Sequence, residues 1–337
     1  MKTLDDLWKQ GQDFLGVRYP IMCGAMTWIS ESGLVSNVSN AGAFGCLAAG
    51  NMEPNLLADE IDRTKAATDK PFAVNMITIA PNYMAHLPVA IEKKVPFIIF
   101  AGGIPKSAEI QMAKEGGARV LCFASVESIA QRLIRAGTDG LMLEGSEAGG
   151  HIGHVSLMVL LQQVLFNVNS VPIFVAGGIG AGRIIPHLLM MGAAGVQLGT
   201  LFVATEECKT HPDFKKAFIR ARARDAIATP QINSELHVVA VRALRNKGME
   251  NFSELQMDLI HRRRKGELTQ EQAQYKVEEY WIGALRKAVQ DGDIQGGSIM
   301  AGQSVGLVDK VRPLSDVLGC LVSEAEEELA RMQRKLM

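Results

Sequence analysis

No two cysteines in this chain are spaced as C-x-x-C, and only five occur in 337 residues: Cys23, Cys46, Cys122, Cys208 and Cys320. Zinc sites and cysteine-ligated iron–sulfur clusters draw on clustered thiolates, so this spacing argues against both, and no metal site is expected. An odd, scattered set also fits a reducing compartment better than a disulfide framework. No run of about 18 apolar residues is present, so no membrane-spanning helix is expected. The opening MKTLDDLWKQGQDF carries early aspartates and no apolar segment, unlike a signal peptide, and the cytoplasm is the expected location. Charge of neither sign dominates: the formal net charge is -1. Nucleic-acid binding draws on a basic excess that is missing here. What is present is ordinary for a globular enzyme, with 47% hydrophobic and 21% charged residues. A chain of this length can bury a core without metal or disulfide staples.

The first two hundred residues repeat a rhythm. Eight short apolar runs each end in glycine or polar residues: Pro20–Gly24, Ala43–Gly50, Phe72–Ile77, Phe97–Gly102, Arg119–Phe123, Gly140–Gly145, Pro172–Gly177 and Gly195–Thr200. Their interiors (FAVNM, FIIF, VLCF, IFVA) are nearly continuous apolar stretches, the pattern of parallel strands buried on both faces. Between them, Leu56–Ala67, Ser107–Glu115 and Ser125–Ala136 space apolar residues by three and four, as helices do, with Ser125 and Ser156 expected as N-caps. Eight β–α repeats close into a (β/α)8 barrel. An open doubly wound sheet is the alternative, but it calls for an early GxGxxG turn where this chain has GAMTWIS. After Leu201 the rhythm changes to charged, helical sequence without clear strands over residues 205–290. The expected organisation is a barrel over 1–204, a helical addition over 205–309 and a returning amphipathic helix over 310–337.

In barrels of this kind active sites lie at the C-terminal ends of the strands, and the chemically unusual residues fall there. The seventh run ends in Ala176-Gly177-Gly178-Ile179-Gly180 and the eighth in Gln197-Leu198-Gly199-Thr200. Paired glycine turns after the last two strands are where barrels commonly hold a phosphate, because glycine lets backbone amides approach it. The sixth run ends in EGSEAGGHIGH, bringing Glu144, Gly149, Gly150 and His151 together. His151 is the expected catalytic or substrate-orienting residue, since histidine transfers protons near neutral pH. The plainer reading is a structural histidine bonded to a loop carbonyl. His154 reads as a surface capping residue, and a metal held by both histidines lacks a third ligand. Asn75 interrupts an apolar strand, and a buried amide needs partners, either a ligand or a neighbouring strand end. Gly24, Ala25 and Met26 end the first strand with residues small enough to let a flat ring lie against the backbone.

Taken together, AMTWIS, VSNAGAFGCLAAGN, FAVNM, EGSEAGGHIG, VAGGI, GVQLGT and MAGQSVGLV resemble the nitronate monooxygenase/enoyl-reductase superfamily of FMN-dependent barrels, and within it the enoyl-[acyl-carrier-protein] reductase II group. The resemblance covers nearly the whole chain. It implies FMN as cofactor and NADH or NADPH as cosubstrate. Gly178, Gln197, Gly199 and Thr200 would hold the phosphate and its surroundings, and Asn75, Glu144 and Gly150 the ring or ribityl chain. His151 would be catalytic, and Gly302 and Gln303 would return to the flavin face. It implies an enoyl thioester on acyl carrier protein as substrate, and a homodimer by resemblance alone. The first strand departs from the pattern: it reads MCGAM where reductases often show Gln before paired glycines. A basic run, His261-Arg262-Arg263-Arg264-Lys265, could steer an acidic carrier or be a solvated face. The alternatives are a nitronate monooxygenase, an NAD(P)H:quinone reductase, a flavin-free lyase or isomerase, and a non-catalytic flavin-binding protein.

Overall fold

The computed structural model describes residues 3–336 apart from Pro81, Ser234 and His237, so the outer limits 1 and 337 of the expected segments lie outside the described residues. The strands are β1 (Ile21–Cys23), β2 (Gly45–Ala48), β3 (Phe72–Ile77), β4 (Phe97–Ala101), β5 (Arg119–Phe123), β6 (Gly140–Glu144), β7 (Gly150–His151), β8 (Ile173–Ala176), β9 (Gly195–Leu198), β10 (Ala226–Ala228) and β11 (Val241–Leu244). Eight of them form one parallel sheet in the order β1-β9-β8-β6-β5-β4-β3-β2. A parallel bridge from Met22 to Phe44 joins its two edges, with Cys23 N donating to Phe44 O at 2.9 Å. The protein is therefore a (β/α)8 barrel, formed from all eight expected runs.

Side chains alternate across each strand with period two, and that alternation builds the interior in layers. Met22, Cys46, Ala73, Phe97, Ile99, Leu121, Met142 and Phe174 point inward and pack together. The lower mouth is plugged by the helix Leu4–Leu15, which the strand–helix rhythm does not announce. Phe14 from its last turn lies 5.8 Å, ring to ring, from both Phe97 and Phe174. The helix is well bounded: Thr3 and Asp6 cap it reciprocally, and Gly16 closes it in the left-handed conformation at φ 71°.

The outer ring includes Pro54–Ala67, Ser107–Glu115 and Glu127–Ala136, close to the expected spans. One cap differs. Val126, not Ser125, is the N-cap of Glu127–Ala136, because Ser125 faces the space above the barrel instead. Ser156 does stand at the N-cap of Leu157–Leu160, without a side-chain hydrogen bond. The last helix, Leu314–Leu336, returns against the turn at Gly182, whose amide donates to Glu324 Oε2 at 2.7 Å.

Residues 205–309 depart from the expectation in two ways. They contain strands, β10 and β11, which with β7 form a three-stranded antiparallel sheet. The short lengths and the single β-branched residues in AIA and VRAL hide these strands in the sequence. The helix Pro212–Arg220 packs Phe214 and Phe218 into the barrel's own core. The long helices Lys247–Arg264 and Gln270–Gln290 carry a separate small core around Phe252 and Trp281, 4.2 Å apart.

Candidate active site

At the top of the packed interior, every barrel strand contributes one inward residue to the floor of a cavity. They are Gly24 just past β1, Cys46, Asn75, Ile99, Phe123, Glu144, Ala176 and Gln197. The cavity holds about 420 Å³. It lies at the C-terminal ends of the strands, where the strand–helix loops converge. Its two sides differ in chemistry. Over β8 and β9 it is rimmed by Gly177, Gly178, Gly199 and Thr200; over β3 to β5 it is rimmed by Ile77, Ile79, Ile104 and Ile129.

The glycine side is shaped by close packing. Gly177 has φ 97°, and a Cβ there would stand 2.8 Å from Gly145 O, so only glycine fits. Among the described residues the amides of Gly178, Ile179, Gly199 and Thr200 donate no hydrogen bond within the protein. Four unspent donors on two adjacent turns make an anion cradle. Thr200 uses its hydroxyl differently, accepting from Gly302 N at 3.0 Å.

The floor carries three polar groups. Asn75 is buried and donates to Ile99 O of β4 over a long 3.4 Å, which leaves its amide with unused capacity toward the cavity. Gln197 is buried and covers Gly24, whose added Cβ would meet it at 3.1 Å. Glu144 opens onto the cavity and makes no hydrogen bond among the described residues. Burial alone pushes its carboxyl up to about 8, so it is largely neutral at pH 7 and can donate a hydrogen bond.

His151 closes the site from above. Its strand β7 pairs with β11, Val241 opposite His151, and Ile152 N donates to Ala240 O at 2.9 Å. Arg242 adds a tie, donating from Nε to Ser146 O at 2.9 Å and from Nη1 to Ala226 O at 2.6 Å. The loop after β6 is thereby fastened to the addition. His151 Nε2 lies 3.1 Å from Glu278 Oε2 without the alignment of a hydrogen bond.

Of the residues singled out in the sequence, Gly24, Ala25, Met26, Asn75, Glu144, Gly149, Gly150, His151, Gly177, Gly178, Gln197, Gly199 and Thr200 line this one cavity. Gly302 and Gln303 do not. They stand behind the wall: Gln303 N donates to Glu147 O at 2.9 Å, and a Cβ on Gly149 would come within 2.5 Å of Gly302 N. Their neighbours Met300 and Ser304 reach the cavity in their place, because that segment turns a different face inward. His154 is exposed outside it. Sequence reasoning missed the isoleucine rim, which reads as ordinary core, and Val239 and Leu285 from the addition. It also missed Glu278, although a buried carboxylate among Val277, Trp281 and Leu285 on a helix's apolar face is a legible anomaly.

A family model described as nitronate monooxygenase matches residues 9–87 and 76–324. The chain belongs to the nitronate monooxygenase family. Like the members and neighbours named here, it is an oxidoreductase. A structure of FabK from Thermotoga maritima superposes with a TM-score of 0.86 at 33% identity over 99% of each chain. A nitroalkane oxidase from Streptomyces ansochromogenes superposes with a TM-score of 0.79 at 26% identity, over 96% of this chain and 99% of that one. A Mycobacterium tuberculosis protein named as a hydroxy-methyl-oxo-octahydro-indene-carboxyl-CoA dehydrogenase is 28% identical, covering 93% of this chain and 94% of its own length. A "probable nitronate monooxygenase" of Staphylococcus aureus is 25% identical, covering 95% and 99%. FMN dependence is general in the nitronate monooxygenase family.

Proposed function

We propose that this protein is an FMN-dependent enoyl-thioester reductase of the enoyl-[acyl-carrier-protein] reductase II type. It would take electrons from NADH or NADPH and saturate the trans-2 double bond of an enoyl thioester. The observation that carries this reading is the two-sided cavity, with an anion cradle over β8 and β9 and an apolar isoleucine rim over β3 to β5 that suits an acyl chain. The likeness to FabK, an enoyl-acyl-carrier-protein reductase II, over the whole of both chains supports it.

The residues fit FMN. The unspent amides of Gly178, Ile179, Gly199 and Thr200 suit its phosphate, and Asn75, Glu144 and Gln197 offer polar groups to a heteroaromatic ring. Gly24, Ala25 and Gly150 leave room for its plane, and Met26 lies alongside. When bound, FMN supplies hydride-transfer chemistry, while the protein supplies orientation and electrostatics. Glu144, its carboxyl held largely protonated at pH 7 by burial, is able to donate a hydrogen bond to a bound group in the cavity. The isoleucine rim excludes water and aligns the acyl chain. His151 polarises the thioester carbonyl or delivers the proton that ends up on the α-carbon.

The deciding experiment is anaerobic. The yellow protein is reduced with NADH and NADPH in turn and mixed with crotonyl thioester; reoxidation of the flavin with formation of the saturated product is expected. If the flavin stays reduced with the enoyl thioester, yet the enzyme consumes oxygen with propionate 3-nitronate and no nicotinamide, the reductase reading fails. That second outcome is nitronate monooxygenase activity, favoured by the family model and the Streptomyces neighbour.

A further inference from the structure

The helix Gln270–Gln290 places an acidic side chain against the histidine of the site. Glu278 is buried at 6% exposure, and its Oε2 lies 3.1 Å from His151 Nε2. Its other oxygen accepts from Gln274 Nε2 at 3.4 Å. The helix is locked in register over the cavity one turn further on, where Trp28 Nε1 donates to Ile282 O at 3.0 Å. The guanidinium of Arg286, a turn beyond that, sits 5.5 Å from the Trp28 ring. Trp28 accepts a left-handed backbone, φ 64°, to make these contacts. A bulky residue holds that conformation only where its surroundings enforce it. Leu285, on the same side of the helix, lines the cavity. Positions 278, 282, 285 and 286 thus share one face, as helical spacing requires.

The two ring nitrogens of His151 have different surroundings. Nε2 is shut from solvent and faces the carboxylate; Nδ1 remains accessible and makes no hydrogen bond among the described residues. We propose that Glu278 is a positioning residue for His151, keeping the neutral ring in the tautomer protonated on Nε2 and leaving Nδ1 as the nitrogen that exchanges a proton with substrate. A small rotation of the ring brings Nε2–H into line with the carboxylate. When the ring acts as an acid it carries protons on both nitrogens, gives up the one on Nδ1 to the α-carbon, and returns to the Nε2–H form. A carboxylate behind a histidine fixes both tautomer and orientation in this way. The use of the proton rests on the enoyl-reductase reading; the tautomer does not.

The test uses the FMN-loaded full-length protein labelled with 15N-histidine, in which the His151 ring signals are assigned by their loss in His151→Gln. Long-range 1H–15N spectra at a pH where the ring is neutral should show Nε2 protonated and Nδ1 bare. Glu278→Leu fills a similar volume on an apolar helix face and folds without burying a charge; it should give a mixed tautomer. Glu278→Gln keeps an acceptor oxygen and should restore the wild-type signature. With crotonyl thioester, Glu278→Leu should lower kcat tenfold or more while KM stays within about twofold, and Glu278→Gln should recover most of kcat. Unchanged His151 signals in Glu278→Leu, or a bare Nε2 in the wild type, would overturn the proposal. A wild-type protein with the expected tautomer but no enoyl turnover would instead remove the substrate assignment and leave the positioning role standing.

Discussion

At the residue scale, Glu144 is the carboxyl that faces the cavity, and burial pushes it well above its ordinary range. Its raised value means that the carboxyl binds a proton more tightly in the folded protein than at its ordinary value near 4.5. The sign follows. Its contribution to stability is intact below about 4.5 and is lost as the pH rises through about 8. Glu144→Gln, neutral throughout, should therefore melt increasingly above the wild type as cofactor-free protein is taken from pH 5 to pH 8.5. The expected gain reaches up to a few kcal/mol, discounted for the cavity's access to water. A melting difference that stays flat across this range contradicts the desolvated carboxyl. For His151, the change to Ala should leave FMN bound and reduce kcat on crotonyl thioester roughly a hundredfold or more. A variant as fast as wild type would leave the histidine no chemical part. Both residues were legible in the sequence because ionisable side chains at strand ends are conspicuous. Glu278 was not singled out, since its partner lies more than a hundred positions away and only the fold brings them together.

At the scale of elements, the strands were the clearest feature. All eight barrel strands fall within the apolar runs, because strands buried on both faces are built mostly from apolar residues; Asn75, Glu144 and Gln197 break the pattern where they face the cavity. The helix Leu4–Leu15 was hidden, since its role as a plug depends on Phe14 meeting β4 and β8. β7, β10 and β11 were hidden too: at two to four residues they are held by pairing with one another rather than by propensity. Ser125 looked like a cap by residue type, but the cavity competes for its side chain. The turn after β8 makes its own prediction. Gly177→Ala places a Cβ against Gly145 O in a conformation that costs an L-residue about 1–2 kcal/mol before any clash. It should purify with little or no bound FMN and a lower melting temperature. Full flavin content, read from the absorbance of the purified protein, would show that the turn is not part of the cradle.

At the scale of the whole molecule, the barrel and its addition share the work. The barrel supplies the floor and the glycine turns, and the addition supplies Val239, Leu285 and Met300 on the wall and Glu278 behind the histidine. The basic run at 261–265 lies within the addition, and much of its charge is spent locally. Arg264 pairs with Glu235 at 3.0 Å, and Arg262 lies 3.5 Å from Glu267. If an acidic carrier nonetheless docks there, as the enoyl-acyl-carrier reading proposes, Arg262→Glu with Lys265→Glu should raise KM for a carrier-linked substrate several-fold and spare the CoA analogue. Equal changes on both substrates would take the run out of recognition. No helix among the described residues is long and apolar enough to cross a membrane.

The hydrogen bonds from Gly302 to Thr200 and from Gln303 to Glu147 tie the loops of the barrel to a segment near the far end of the chain. The eighth stave is complete at Leu198, with about two-fifths of the sequence still to follow. The pocket itself has no finished wall until residues 299–305 have left the ribosome. If FMN binds as proposed, a chain stopped before that segment would carry the glycine turns without the wall that completes the pocket.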